Sequence, residues 1–344
     1  MRLLTTIGAA CLVAMSSAIT LGQVDTFEDG TALGWGHPQT HQPENIATGG
    51  PRGVDDNYLR FAGGLVGWPQ HLAMFNQQQW VGNWIAAGVT VVEAHVKNEG
   101  PDPVELRAVW HGQQASRWTS TDGITVPADN KWYKIAFPCR ESDMTRVLGT
   151  ETYADVMGNL ERFMIRHDAG TPSSGGSPVD AAVGIDNIEA SNKADFQPVT
   201  LTPVRGVRTG DLFELLFSDD LRVQYRPGVV FSTLTAPVEF KVVSYATFTN
   251  PTSFSFNLEG NATSASVRRE FALLNRNTGL FDIVSPYAAS TTTDTLMTVS
   301  ADPSTYINPA DGRMEARISY RAFGPVFAYP WFARQDRIFF RLTP

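Results

Sequence analysis

The chain has 344 residues, a formal net charge of −8 and a pI near 5.3, with only 18% of its residues charged. That acidic balance argues against nucleic acid or an anionic membrane surface as a partner. Its two cysteines are Cys11, inside an apolar leader, and Cys139, so a chain without the leader has no internal disulfide and must be held together by core burial.

The leader comes first. Met1-Arg2 is a short basic region, Leu3–Leu21 is mostly apolar, and small residues follow near Gly22. This pattern predicts a secretory signal peptide over 1–22, cleaved after Gly22 or after Ala18. Thr5, Thr6, Ser16, Ser17 and Thr20 interrupt the run, which falls short of the roughly 20 apolar residues a membrane span needs. A secreted protein follows, placed outside the cell, at its surface or in the periplasm, with no membrane span.

The rest reads as strands. Asn57–Phe61, Val89–Lys97, Val104–Trp110, Trp132–Phe137 and Phe163–His167 alternate or carry β-branched runs between Gly-, Pro- and Asn-rich turns. One short amphipathic helix is predicted over Tyr153–Arg162, and Thr171–Pro178 reads as a loop. Ala181–Ala190, AAVGIDNIEA, is a closing strand whose natural neighbour is the opening stretch Asp25–Trp35, because domain termini tend to meet at the surface. That pairing gathers Glu28, Asp29 and Asp186, and such a crowd of carboxylates needs a cation or a proton. With Asp25 and the Asp55-Asp56 turn, the set has the oxygen chemistry of a structural Ca2+ site. The competing reading is plain turn chemistry, in which Asp caps its own loop.

Composition shifts at Ser191–Thr202: all six histidines and seven of the eight tryptophans lie before it. A domain over 23–191, a linker at 192–197 and a second domain over 198–344 are expected. The second half reads as a run of hairpins, beginning with Asp211–Phe217 and Leu221–Arg226 around an SDD turn. It continues through NRNTG at Asn275–Gly279, a hairpin loop with Gly where positive φ is needed. The fold class is all-β: two antiparallel β-sandwiches in tandem, the first a jelly roll and the second immunoglobulin-like or jelly-roll-like.

The pieces FEDGTALGW, GGPRGVDDNYLRF, QWVGNW with GVTVVEAHVKN, KWYKIAFPC, YADVMGNLERFMIRHDAG and GIDNI occur in an order that resembles the laminin B (laminin domain IV) jelly roll. That domain also occurs in secreted bacterial proteins. The resemblance implies a jelly roll like many carbohydrate-binding modules, which often hold a structural calcium between first and last strands. The cysteine-rich flanks of laminins are missing here. MEARISYRAFGPVFAYPW resembles part of a C-terminal module of secreted bacterial proteins and carries no functional residues over.

Aromatic residues supply the ligand candidates. Trp68, Trp80, Trp84 and Trp118 lie in loop-like contexts, with Asn83 and a run of amides beside Trp80 and Trp84. Exposed rings flanked by amides suit sugar stacking, while the alternative is that they lid the core. Trp110 and Trp132 read as core. HPQTH at His37–His41 lies in a loop without further zinc ligands. Arg166 and Asp168 read as salt-bridged rim residues. His167, between them on a strand, points the other way and cannot form a dyad with Asp168. No GxSxG, HExxH, P-loop or GxGxxG occurs. The expectation is a non-enzymatic protein that binds a polysaccharide, a cell-surface glycan or a matrix component. A structural or adhesion protein is the alternative, and a glycan-active enzyme a lesser one.

Overall fold

The computed structural model describes residues 18–37, 42–64, 71–232, 234–248, 250–323 and 331–344. They form four antiparallel sheets arranged as two sandwiches in tandem. In the first sandwich one sheet runs Trp132–Pro138, Val91–Asn98, Ala182–Ser191, Tyr58–Ala62, Glu44–Ile46. The other runs Met144–Leu148, Arg117–Ser120, Val104–His111, Arg162–His167, Ala73–Asn76, Trp35–Gly36. The opening strand Val24–Asp25 pairs with the closing one, Val24 opposite Glu189 and Asp25 opposite Ile188. The neighbours expected from chain position are therefore the neighbours observed.

Period-2 alternation explains what each strand buries. Leu106, Ala108 and Trp110 of Val104–His111 enter the first core, while Val109 packs with Ala73 and Met164 on the opposite face. Val91–Asn98 serves both sandwiches. Val92, Ala94 and Val96 fill the first core, and Val91 joins the second. On that same outer face Glu93 accepts the Asp195 amide at 2.7 Å, and His95 packs on Phe217.

The second sandwich has sheets built on Ala333–Thr343 with Ser253–Ala262 and on Arg313–Ala322 with Val238–Tyr245 and Val267–Leu274. Phe240, Phe256, Phe271, Ile318 and Phe340 form its core. Gly279, with φ of 70°, closes the NRNTG loop, and the Asn275 side chain accepts the Asn277 amide there. Most of the middle of FGPVFAYPW lies outside the described residues.

Three expectations are corrected. Residues 192–197 are not a loose linker: Ala194–Phe196 is a buried strand on Ala333–Thr343, and Asp195 is clamped by Arg341 and Arg337. Although burial opposes its charge, those cations and Lys134 hold the Asp195 carboxyl below its ordinary value. Asp211–Phe217 forms a 3-10 turn at Phe213–Leu215 instead of a strand, because Asp211 accepts the Phe213 amide and Glu214 accepts the Asp211 amide. The helix, which starts on a Thr152–Asp155 capping box, stops at Gly158, and Arg162 belongs to the next strand.

The chain just before the opening strand is packed too. Ile19 is 4% exposed within the first core, its amide bonded to the Val81 carbonyl, and the Gly22 amide reaches Ala190 at 2.7 Å. Cleavage after Gly22 would strip Ile19 from the core, whereas cleavage after Ala18 keeps it. N-terminal sequencing of chain exported by a secreting host should read from Ile19, and a start at Gln23 would contradict this packing.

Candidate functional site

Three of the four tryptophans read as sugar-stacking candidates, Trp80, Trp84 and Trp118, are core. Trp80 and Trp84 are fully buried, and with Trp35, Trp110 and Phe163 they form one aromatic cluster with ring centroids 5.2–6.0 Å apart. Asn83 is the N-cap of a short helix, Trp84–Ala87, and accepts the Ala86 amide at 2.8 Å. That cap turns Trp84 inward, so the loop-like Gly82-Asn83 context presents no ring to solvent. Trp118 is 9% exposed, edge-on to Tyr153, with its indole N–H on the Glu151 carbonyl. Trp68 lies outside the described residues.

Of the six carboxylates expected to gather, three line one pocket and a fourth, Asp186, lies within range of their charge. Asp25 is excluded by its own partners: its Oδ2 accepts the Trp35 and Trp80 indoles at 2.7 Å each and Gln79 at 3.2 Å. Asp29 is exposed and caps a turn, accepting the Thr31 amide and hydroxyl. Glu28, Asp55 and Asp56 line an open pocket of about 510 Å³ with Thr26, Arg52 and Asn187, and the charges of Glu28 and Asp56 act on the buried Asp186.

Local backbone explains the convergence. Phe27, fully buried, has φ of 60°, an outlier for a bulky residue that turns Glu28 away from the core and toward Asp56. The closing strand bulges between Asp186 and Glu189, with Asn187 at φ of 50°. Asp56 accepts the Arg52 amide at 2.6 Å across the Gly50–Gly53 turn.

The pocket's carboxylates outnumber its one lining cation, Arg52. Asp186 is completely buried; Oδ2 accepts Asn187 at 2.6 Å, and Oδ1 has no partner. Burial, then the charges of Asp56 and Glu28, push its pKa up to about 8. Loss of solvent and contact with the Asp56 carboxyl raise Glu28 as well. A proton or a hard cation relieves the same strain, and Ca2+ takes carboxylate, amide and carbonyl oxygens of the kind offered here.

A second feature was not foreseen from sequence. A cleft of about 650 Å³ lies where the two sandwiches meet, between Asn130–Lys134 and segments 196–216 with Tyr245. Trp132 and Tyr133 are part-exposed along it, and Phe213 and Tyr245 are each 44% exposed. Trp132 was expected in the core. It opens an edge strand, so one side packs edge-on to Tyr58 while the other meets the cleft. Asn130, Gln197 and Arg208 supply polar groups around the rings.

The remaining polar candidates are structural. Arg166 and Asp168 form a buried ion pair at 3.0 Å, and His167 points elsewhere, its Nδ1 accepting the Glu105 amide. Cys139 is buried and its thiol pKa is pushed well up by desolvation. His37 belongs to the first sandwich, while His41 lies outside the described residues.

The fold defines the class: tandem antiparallel β-sandwiches, the first a jelly roll. No protein-family model matches the chain, and no curated protein does, so the laminin B resemblance rests on the sequence pieces alone. Among solved structures the chain is similar to the tandem CBM22-1–CBM22-2 domain of Paenibacillus barcinonensis Xyn10C, at 11% identity and a TM-score of 0.28, over 94% of this chain and 99% of that one. It is also similar to the family 11 carbohydrate-binding module of Clostridium thermocellum Lic26A-Cel5E, at 13% identity and 0.31, over 50% and 95%. A third likeness is to an exo-β-agarase, at 12% and 0.34, over 49% of this chain and 24% of that one. At these values neither ligand nor activity transfers.

Two predictions follow from the site. Trp80→Ala should cost about 3–5 kcal/mol in urea unfolding, the range for emptying a large aromatic site in a core; a loss within about half a kcal/mol would mark an exposed ring. The raised Asp186 pKa means that the folded chain holds a proton which the unfolded chain releases near its ordinary value. That contribution is complete below pH 3.8, the ordinary value, and is lost as pH rises through about 8. In EDTA the melting temperature should therefore fall from pH 6 to pH 9 in the wild type, and Asp186→Asn should flatten this part of the profile. An unchanged profile in Asp186→Asn would contradict the assignment.

Proposed function

We propose that this chain is a secreted, non-enzymatic glycan-binding protein with a laminin-B-like first domain and a structural Ca2+ held by Glu28, Asp56 and Asp186. One observation carries the binding reading: Trp132, Tyr133, Phe213 and Tyr245 line a single open cleft together with Asn130 and Gln197. Pyranose C–H faces pack on such rings, and amides pair with hydroxyls, the mix of apolar wall and few polar groups that small-ligand sites use. Support for calcium is the partnerless buried Oδ1 of Asp186, on which the charges of two further carboxylates act.

Chemistry in the cleft points to binding instead of turnover. Lys134, which lines it, is held by Glu93 at 2.9 Å. Secretion is supported by the basic and apolar leader. Extracellular matrix or cell-surface polysaccharide is the partner class that fits an acidic, exported chain.

A glycan array on the full chain tests the reading directly. Tyr245→Ala and Phe213→Ala should each weaken the best glycan by about tenfold, or about 1.4 kcal/mol, with melting temperature unchanged. Chain length of that glycan should stay constant on incubation. Array silence with intact folding would favour a structural or adhesion role, and shortening of the glycan would favour an enzyme.

A further inference from the structure

Three carboxylates meet in the second sandwich. Asp220, Asp294 and Asp336 offer oxygens that all lie within 4.8 Å of one another, the one such group among the described residues. They come from separate elements. Asp220 sits at φ of 66° just before the strand Val223–Arg226, Asp294 just before Thr295–Ala301, and Asp336 within Ala333–Thr343.

Asp336 is aimed there by a bulge. Glu259 pairs with Arg337 and Gly260 with Gln335, so Asp336 is the residue left over between them. The bulge is built into the chain, because a Cβ at Gly260 would collide with the Arg334 carbonyl.

Charge at this point is only partly matched. Arg222 bridges Asp220 and Asp294, one cation against three carboxylates. Asn261, 4% exposed, donates to Asp294 Oδ1 at 2.7 Å, which leaves its own Oδ1 buried without a donor. Asp336 is 2% exposed, and its Oδ1 likewise has no partner. Two buried acceptors without donors, beside an acidic trio, are groups that a cation would satisfy.

We propose that Asp220, Asp294, Asp336 and the Asn261 amide oxygen form a second Ca2+ site, one that ties the turn before Val223–Arg226 to the sheet behind it. An all-oxygen set of carboxylates and an amide gathered from several elements suits the irregular shell of Ca2+ better than the near-ideal octahedron of Mg2+. Arg222 occupies Asp220 Oδ1 and Asp294 Oδ2, leaving Asp220 Oδ2 and, beside its bond from Asn261, the second lone pair of Asp294 Oδ1 for the ion. In the absence of cation, burial and the charges of Glu259 and Asp294 push Asp336 up to about 6, so a proton competes with the metal. This site does not depend on the cleft or on calcium at Asp186.

The test uses the full chain carrying E28Q and D186N, which removes two of the three other carboxylates proposed to hold Ca2+. Calorimetric titration with CaCl2 should still show one equivalent, and calcium should raise the melting temperature over that in EDTA. Adding D336N should abolish that equivalent, and adding D220N instead should weaken it at least tenfold. D336N removes a buried charge, so its melting temperature in EDTA should equal or exceed that of its parent; should it not fold, D220N in an exposed turn carries the test. If E28Q/D186N itself does not fold, the same loss is read between wild type and D220N or D336N. No calcium binding in the parent, or binding unchanged in D336N and D220N, would overturn the proposal.

Discussion

The first sandwich depends on one buried carboxylate. Asp25 stands on the opening strand, pairs through its backbone with Ile188 of the closing strand, and takes both the Trp35 and Trp80 indole N–H groups on one oxygen. Desolvation raises its pKa while those donors lower it, so the indoles are what make a carboxylate tolerable there. In return the aromatic cluster is pinned at one end, and the chain that leaves Asp25 enters Phe27 and Glu28 with fixed direction. The carboxylate pocket is thus a consequence of how the domain closes its ends.

Closure also explains how the two halves are joined. Val91–Asn98 sends alternate side chains into separate cores, so the first sandwich lends Val91 and Ala136 to the second. Glu93, held between Lys134 and the Asp195 amide, bridges the join, and Thr247 reaches back to the Ala136 carbonyl. The cleft that carries the proposed glycan site is bordered by this join, which places part-exposed aromatic rings of both sandwiches on one wall.

Much of the fold was legible in the sequence because strands declare themselves by period 2. Val104–His111 and Trp132–Pro138 are read almost to the residue, and the neighbour of the closing strand follows from chain position alone. The site was legible in part. Glu28, Asp56 and Asp186 could be grouped because the opening stretch and the closing strand of one domain are natural neighbours, but Asp25 could not be separated from them, since its indole donors are set by packing. Trp80 and Trp84 misled because Gly82-Asn83 reads as a loop, whereas Asn83 caps a helix only one turn long. Trp132 misled in the opposite sense, because nothing in its pattern says that its strand is an edge. Asp220, Asp294 and Asp336 are scattered through the second half, and only a bulge between paired strands brings the last of them to the others.

Indole N–H resonances offer the most direct measurement of where a glycan binds. Trp132 donates its indole N–H to the Gly49 carbonyl beside the cleft, whereas Trp80 donates to Asp25 in the core. Titrating the labelled full chain with the tightest oligosaccharide from an array should shift the Trp132 indole signal and leave that of Trp80 in place. A saturable titration in which the Trp132 signal stays fixed would contradict a glycan site in this cleft.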